Sequence, residues 1–349
     1  MRIAQIAPLF EAVPPKLYGG TERVVYSLTE ALVAQGHDVT LFASGDSVTS
    51  ARLDAPWPRA LRLDPDIRDW VATYHLTLEY VFRRAHNFDV LHFHMDYFPN
   101  SLFSRQPVPF VTTLHGRLDL AEFAAVYRMF PDVPLVSISD SQRRPVPDLG
   151  WVATVLHGMP ADILHVPEAS GQGDEKGEYF AFLGRISPEK GIERAIQIAG
   201  ACNTRLKVAA KVDKADAEYF KESVEPLLKF AHVEFIGEIN DAQKPDFLGR
   251  AKATLFPIDW PEPFGLVMIE SMGCGTPVIA MRRGSVPEVM EDGLTGFVVE
   301  NVDEAIAAVA RLPSLDRKKI RARFDERWTS ARMASDYVRV YQNLIDQRK

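Results

Sequence analysis

The sequence predicts an α/β chain folded as two doubly wound, Rossmann-like halves. Three observations predict it. Short β-rich runs alternate with amphipathic helical stretches, the pattern of a mostly parallel sheet covered on both faces. That alternation starts afresh near the middle of the chain. Finally, 349 residues exceed what one core usually serves, at about 100–200 residues per domain.

In the first half, strands are expected at Arg2–Ala7, Asp38–Ala43, Asp89–His94, Phe110–Leu114, Leu135–Ser139 and Trp151–Leu156. A helix over 21–35 has Thr21 as N-cap, Val24, Val25, Leu28, Ala31 and Leu32 on one face, and Gly36 beyond its end. The second half places strands at Tyr179–Leu183, Leu206–Ala210, Val233–Ile236, Ala253–Pro257, Pro277–Ala280 and Gly296–Val299. Between the halves, Pro167–Gly177 is dense in glycine and small polar residues and reads as a flexible linker. The domains are therefore drawn as 1–166 and 167–329. A last helix over about 330–347 carries Met333, Tyr337, Val340, Tyr341 and Leu344 at helical spacing and requires a surface to pack on.

Composition narrows the function. Hydrophobic content of 46% and charged content of 25% are those of a globular protein. A net charge of -7 argues against a nucleic-acid binder, which would carry clustered Lys and Arg. Cys202 and Cys274 sit in apolar, helix-like contexts and read as small hydrophobes of a reducing compartment. The N-terminus runs straight into a strand pattern, and no run of about eighteen apolar residues occurs, so a cytoplasmic location is expected. Residues 1–165 carry 14 basic against 18 acidic side chains. Any membrane contact is then expected to be peripheral, at the inner face.

Ligands of open α/β sheets sit beyond the carboxyl ends of the strands, and four such places stand out. After the first strand, Gly19 and Gly20 precede a helix and let a ligand approach its amides. His115 follows the strand Phe110–Leu114, where a structural and a functional role are about equally expected. In the second half, Arg185 and Lys190 flank a helix start with Ser187 at the N-cap and Pro188 at its first position. A guanidinium fork and a compact ammonium there suit a diphosphate, although an isolated pair of this kind is more often solvated surface charge. The fourth place is Trp260–Glu270. Pro263 and Gly265 put Glu262 in a loop, facing outward, and Glu270 about two turns inside the helix that follows. The amides of Phe264, Gly265, Leu266 and Val267 at that helix start form an anion site. A phosphate seat flanked by two hydroxyl-binding carboxylates suits a sugar nucleotide.

Two other features do not read as metal sites. His92 and His94 alternate on a strand without an evident third ligand, and Asp64 and Asp66 flank a proline in a loop.

Taken together, Gly19-Gly20, His115, Gly184-Arg185…Lys190-Gly191 and Glu262…Glu270 resemble, in order and spacing, the retaining glycosyltransferases of family four, with the GT-B fold of two Rossmann-like domains facing a central cleft. The resemblance implies a UDP- or GDP-hexose donor held mainly by the second domain, without metal or other cofactor. Arg185 and Lys190 would hold its diphosphate, Glu270 the ribose hydroxyls, and Glu262 with the amides after it the transferred sugar. His115 would shape the sugar site and donate a hydrogen bond. It further implies a carbohydrate or lipid-linked acceptor on the first domain, a last helix that crosses back onto that domain, and a role in glycan, polysaccharide or glycolipid synthesis. Two departures stand out: His157-Gly158 replaces the usual Asn-Gly, and Asp259-Trp260-Pro261 precedes Glu262 where serine-containing segments are common. His157 is expected to cap the backbone locally in place of that asparagine. A sugar-nucleotide 2-epimerase would need further acid/base carboxylates, and a non-catalytic sugar-nucleotide-binding subunit would not need every motif position.

Overall fold

A computed structural model describes residues 1–62, 64–166 and 177–348; the expected linker, apart from Gly177, lies outside them. Two compact units form, residues 1–158 with 330–349, and residues 159–329. The first unit thus closes at Gly158, ahead of the 166/167 boundary drawn from composition. Arg321 gives the reason. Its guanidinium donates to the carbonyls of Ala161 (2.9 Å), Leu164 and Gly273 (2.7 Å), fastening 161–164 to the second unit.

The first unit is a seven-stranded sheet in the order β3-β2-β1-β4-β5-β6-β7. Its strands are β1 (Arg2–Ile6), β2 (Asp38–Phe42), β3 (Arg52–Leu53), β4 (Val90–Phe93), β5 (Phe110–Thr113), β6 (Leu135–Ser137) and β7 (Trp151–Thr154). All pairings are parallel. The two-residue β3 is too short to leave a pattern in sequence. Leu91, Phe93, Phe103, Phe110 and Leu135 are buried in its core. The helix Gly20–Ala34 starts one residue early, with Gly19 rather than Thr21 as N-cap. Arg23 fixes that start by donating to the carbonyls of Gly19 and Leu17. The helix Ser330–Asp346 buries Met333, Tyr337, Val340, Tyr341 and Leu344 within this unit.

The second unit is a six-stranded parallel sheet, β10-β9-β8-β11-β12-β13. It comprises β8 (Tyr179–Arg185), β9 (Arg205–Lys211), β10 (Val233–Gly237), β11 (Ala253–Phe256), β12 (Val278–Met281) and β13 (Gly296–Val299). Phe180, Val208, Leu255, Ile279 and Phe297 are buried. In each sheet the strand order reverses once, between β1 and β4 and between β8 and β11. Those switch points are where an open sheet leaves a crevice for a ligand.

Candidate active site

At the β8/β11 switch point the second unit brings two of its expected residues, Lys190 and Glu262, into contact. β8 ends at Arg185, and Pro188–Lys190 makes a single 3-10 turn before the helix Ile192–Ala201. Ser187 therefore precedes that short turn, and Gly191 is the N-cap of the helix. Gly191 has φ 71°, and a Cβ there would lie 2.1 Å from the carbonyl oxygen of Pro257, just after β11. Glycine alone lets the two crossing segments approach this closely.

Lys190 Nζ lies 2.6 Å from Glu262 Oε2 and 4.9 Å from the Trp260 ring centroid. The Trp260 indole N–H donates to the same oxygen at 2.8 Å. Glu262 is only 8% exposed, so the expectation of an outward carboxylate is corrected. Two donors satisfy it, and Gly284, at φ 55°, packs its backbone against that of Glu262. Arg185 is held by Glu189 at 2.7 Å, with Asp213 and Asp216 each at 3.7 Å. It is therefore half-buried among carboxylates and is not a free surface cation.

Gly265, at φ 82°, is the N-cap of the helix Leu266–Gly273 and offers no side-chain cap. The amides of Leu266 and Val267 point out of the helix start, as first-turn amides do. Behind them Phe264 is buried, its ring 6.0 Å from Trp328 and its carbonyl accepting from Ser285 Oγ at 2.8 Å. Glu270 is 3% exposed, and its Oε1 takes a 2.6 Å ion pair from Lys244, which also reaches Asp241 at 2.9 Å. Oε2 has no protein partner among the described residues. Sequence reasoning missed Lys244; a lysine at the start of the short helix Lys244–Gly249 gives no sign of a partner 26 positions on.

In the first unit, Gly19 and Gly20 open the helix at the end of the loop after β1. A Cβ on Gly19 would come within 2.7 Å of Pro15, so only glycine fits. Glu22, two residues on, is buried; burial pushes its carboxyl up to about 7, against hydrogen bonds from the backbone that lower it, with the neighbouring Glu11 adding to the rise. A cleft nearby is lined by Glu11, Lys16, Asp46, Arg59 and Asp64. His115 follows β5 and stacks on His157, with ring centroids 5.3 Å apart. Burial lowers its imidazole to about 3. Arg332 of the last helix binds the carbonyls of Leu156 (2.9 Å) and His157 (2.7 Å), so the backbone that asparagine would cap is held from the side. Among the described residues no group of three or more His, Cys, Asp or Glu is placed to hold a metal. His92 and His94 instead bond to polar side chains.

Residues 18–151 match Glycosyltransferase Family 4, and residues 168–329 match Glycosyl transferases group 1. A phosphatidyl-myo-inositol mannosyltransferase of Mycobacterium leprae is 27% identical over 379 aligned positions, covering 99% of this chain and 97% of the relative. Among solved structures, AviGT4, a glycosyltransferase involved in avilamycin A biosynthesis, is 25% identical with a TM-score of 0.74, covering 99% of this chain and 98% of its own. The Anabaena protein HepE in complex with UDP and glucose shares the fold at 16% identity and a TM-score of 0.73, over 97% and 99% of the two chains. Two parallel Rossmann-like sheets with these neighbours define a GT-B glycosyltransferase that uses a nucleotide sugar. The chain belongs to glycosyltransferase family 4.

Proposed function

We propose that this chain transfers a hexose from a UDP- or GDP-linked donor to an acceptor hydroxyl, with retention of anomeric configuration and without a metal. The observation that carries the reading is the meeting of Lys190 and Glu262 at the β8/β11 switch point, beside an uncapped helix start. Breaking the anomeric C–O bond builds negative charge on the leaving phosphate. Arg185, Lys190 and the amides of Leu266 and Val267 supply preorganised positive charge for it, each donor of this kind worth about 3–4 kcal/mol in a closed site. Lys190 is shared between the phosphate and Glu262, which ties the charge on the leaving group to the carboxylate that holds the transferred sugar. In this reading Oε2 of Glu270, with Oε1 pinned by Lys244, accepts from the ribose hydroxyls.

Retention through a double displacement would require a nucleophilic carboxylate at the anomeric carbon. Glu262, bound to a lysine and an indole, is a poor nucleophile, which favours a front-face route in which the leaving phosphate takes the acceptor proton. The cleft lined by Lys16, Arg59, Glu11, Asp46 and Asp64 suits an acceptor with hydroxyls and a negative group. The likeness to phosphatidyl-myo-inositol mannosyltransferases supports a lipid-linked or glycan acceptor met at a membrane surface. No helix among the described residues is long and apolar enough to cross a membrane, which accords with peripheral contact.

Incubation with a panel of sugar nucleotides tests the reading. A transferase releases nucleotide diphosphate faster when acceptor is added. Interconversion of sugars without acceptor would indicate an epimerase, and binding without turnover a non-catalytic subunit.

A further inference from the structure

His92 lies on β4 and His94 directly after it, and His92 pairs in register with Gln5 of β1. Both strands are central, and all three side chains are buried. Their polar atoms form one line of hydrogen bonds. His115 Nε2 lies 2.9 Å from His94 Nδ1, and His94 Nε2 lies 2.9 Å from Gln5 Oε1. Gln5 Nε2 donates to the Tyr341 hydroxyl at 3.0 Å, and that hydroxyl lies 2.7 Å from His92 Nδ1. His92 Nε2 lies 2.8 Å from Thr113 Oγ1, whose hydroxyl in turn meets that of Tyr337 at 2.8 Å.

Such a line has a direction. A phenol is a stronger acid than an imidazole N–H, so the short Tyr341–His92 contact is best made with Tyr341 donating. The Tyr341 oxygen then accepts from the Gln5 amide, which turns Gln5 Oε1 toward His94. A carbonyl oxygen only accepts, so His94 carries its proton on Nε2 and offers a lone pair at Nδ1.

We propose that His94 is a positioning residue that, oriented through Gln5 by Tyr341, holds His115 as the Nε2–H tautomer and leaves His115 Nδ1 as a lone pair to which a hydroxyl of the transferred sugar donates. His115 thus accepts a hydrogen bond from the sugar, the reverse of the donor role expected from the resemblance. Nδ1 has no protein partner among the described residues, and burial keeps the ring neutral. The inference rests on the transferase reading above and assigns His94, Gln5 and Tyr341 a part in it. Through Tyr341, the last helix reaches the chemistry of His115.

Two measurements on the full chain test it. In ligand-free protein labelled with ¹⁵N-histidine, long-range ¹⁵N–¹H correlations read each tautomer. Nε2–H on both His94 and His115 is expected, and Nδ1–H on His115 overturns the proposal whatever the variants do. In kinetics, His94→Asn keeps an acceptor oxygen where Nδ1 stood and should retain kcat within about threefold, whereas His94→Leu should lose at least about tenfold in kcat with nucleotide diphosphate affinity unchanged. Equal losses in the two variants would mean that His94 serves packing alone, and would overturn it. A parent chain that turns over no sugar nucleotide would overturn the transferase reading and this proposal together. A reversed tautomer in an active enzyme would overturn the proposal alone.

Discussion

Lys190 and Glu262, 72 positions apart, share a 2.6 Å ion pair at the point where the second sheet reverses its strand order. The pair joins the short turn after β8 to the loop that supplies the carboxylate. In the proposed reading, a donor phosphate arriving there would meet a lysine already held in place. Arg185, by contrast, is held by Glu189 with Asp213 and Asp216 nearby.

Arg185→Ala should lower kcat/KM by about a hundredfold or more, because it removes charge stabilisation that grows in the transition state. The same change leaves Glu189, Asp213 and Asp216 without their shared cation, so a stability loss of up to about 1 kcal/mol should accompany it. Steady-state kinetics beside urea unfolding measure both, and a variant within about threefold of the parent would remove Arg185 from the diphosphate site.

Lys244→Ala should cost about 3–5 kcal/mol of stability, because it strands Glu270 as an uncompensated buried charge beside Asp241. Chemical unfolding at pH 7 measures the loss. Lys244→Ala with Glu270→Gln should recover most of it; failure to recover would show that the lysine stabilises through packing.

Glu22→Gln should be a stabilising change whose size depends on pH. The folded carboxyl titrates near 7, above its ordinary 4.5. A raised acid contributes stability that is fully present below the unfolded pKa and is lost as pH rises through the folded one. The parent should therefore lose about 2–4 kcal/mol relative to Glu22→Gln between pH 4.5 and pH 7.5. Parallel unfolding curves at all pH values would contradict it.

Transfer should persist in excess chelator if, as proposed, side chains and helix amides supply the positive charge. Loss of activity that returns with Mg²⁺ or Mn²⁺ is the contrary result.

Most of the sheet was legible because most strands, such as β1, β4, β5, β11 and β12, are short, buried apolar runs whose limits are local. Gly296–Val299 is the same in sequence and structure, and the others differ at their ends. The errors arose where a distant group decides the local conformation. Pro188 looks like the first residue of a helix, yet the helix starts only after Gly191, which is held left-handed against the Pro257 carbonyl. Glu262 looks exposed because Pro263 and Gly265 announce a loop, and nothing beside it reveals that Lys190 will cover it. His92 and His94 do not read as ligands, but the groups that satisfy them, Tyr341 and Gln5, lie 249 and 89 positions away and no local pattern names them. Motif spacing located the candidate residues; the pairings among them depend on strand order, which no local pattern contains.

The most direct measurement is calorimetric titration of the full chain and its Glu262→Gln and Glu270→Gln variants with UDP and GDP. The parent should bind one of the two. Glu270→Gln should weaken that binding about tenfold or more, because it removes an acceptor of the ribose hydroxyls present with or without the sugar. Glu262→Gln should leave it within about twofold and lower kcat instead. Equal loss of affinity in both variants would contradict the assignment of Glu262 to the sugar, and binding of neither nucleotide by the parent would contradict the donor site itself.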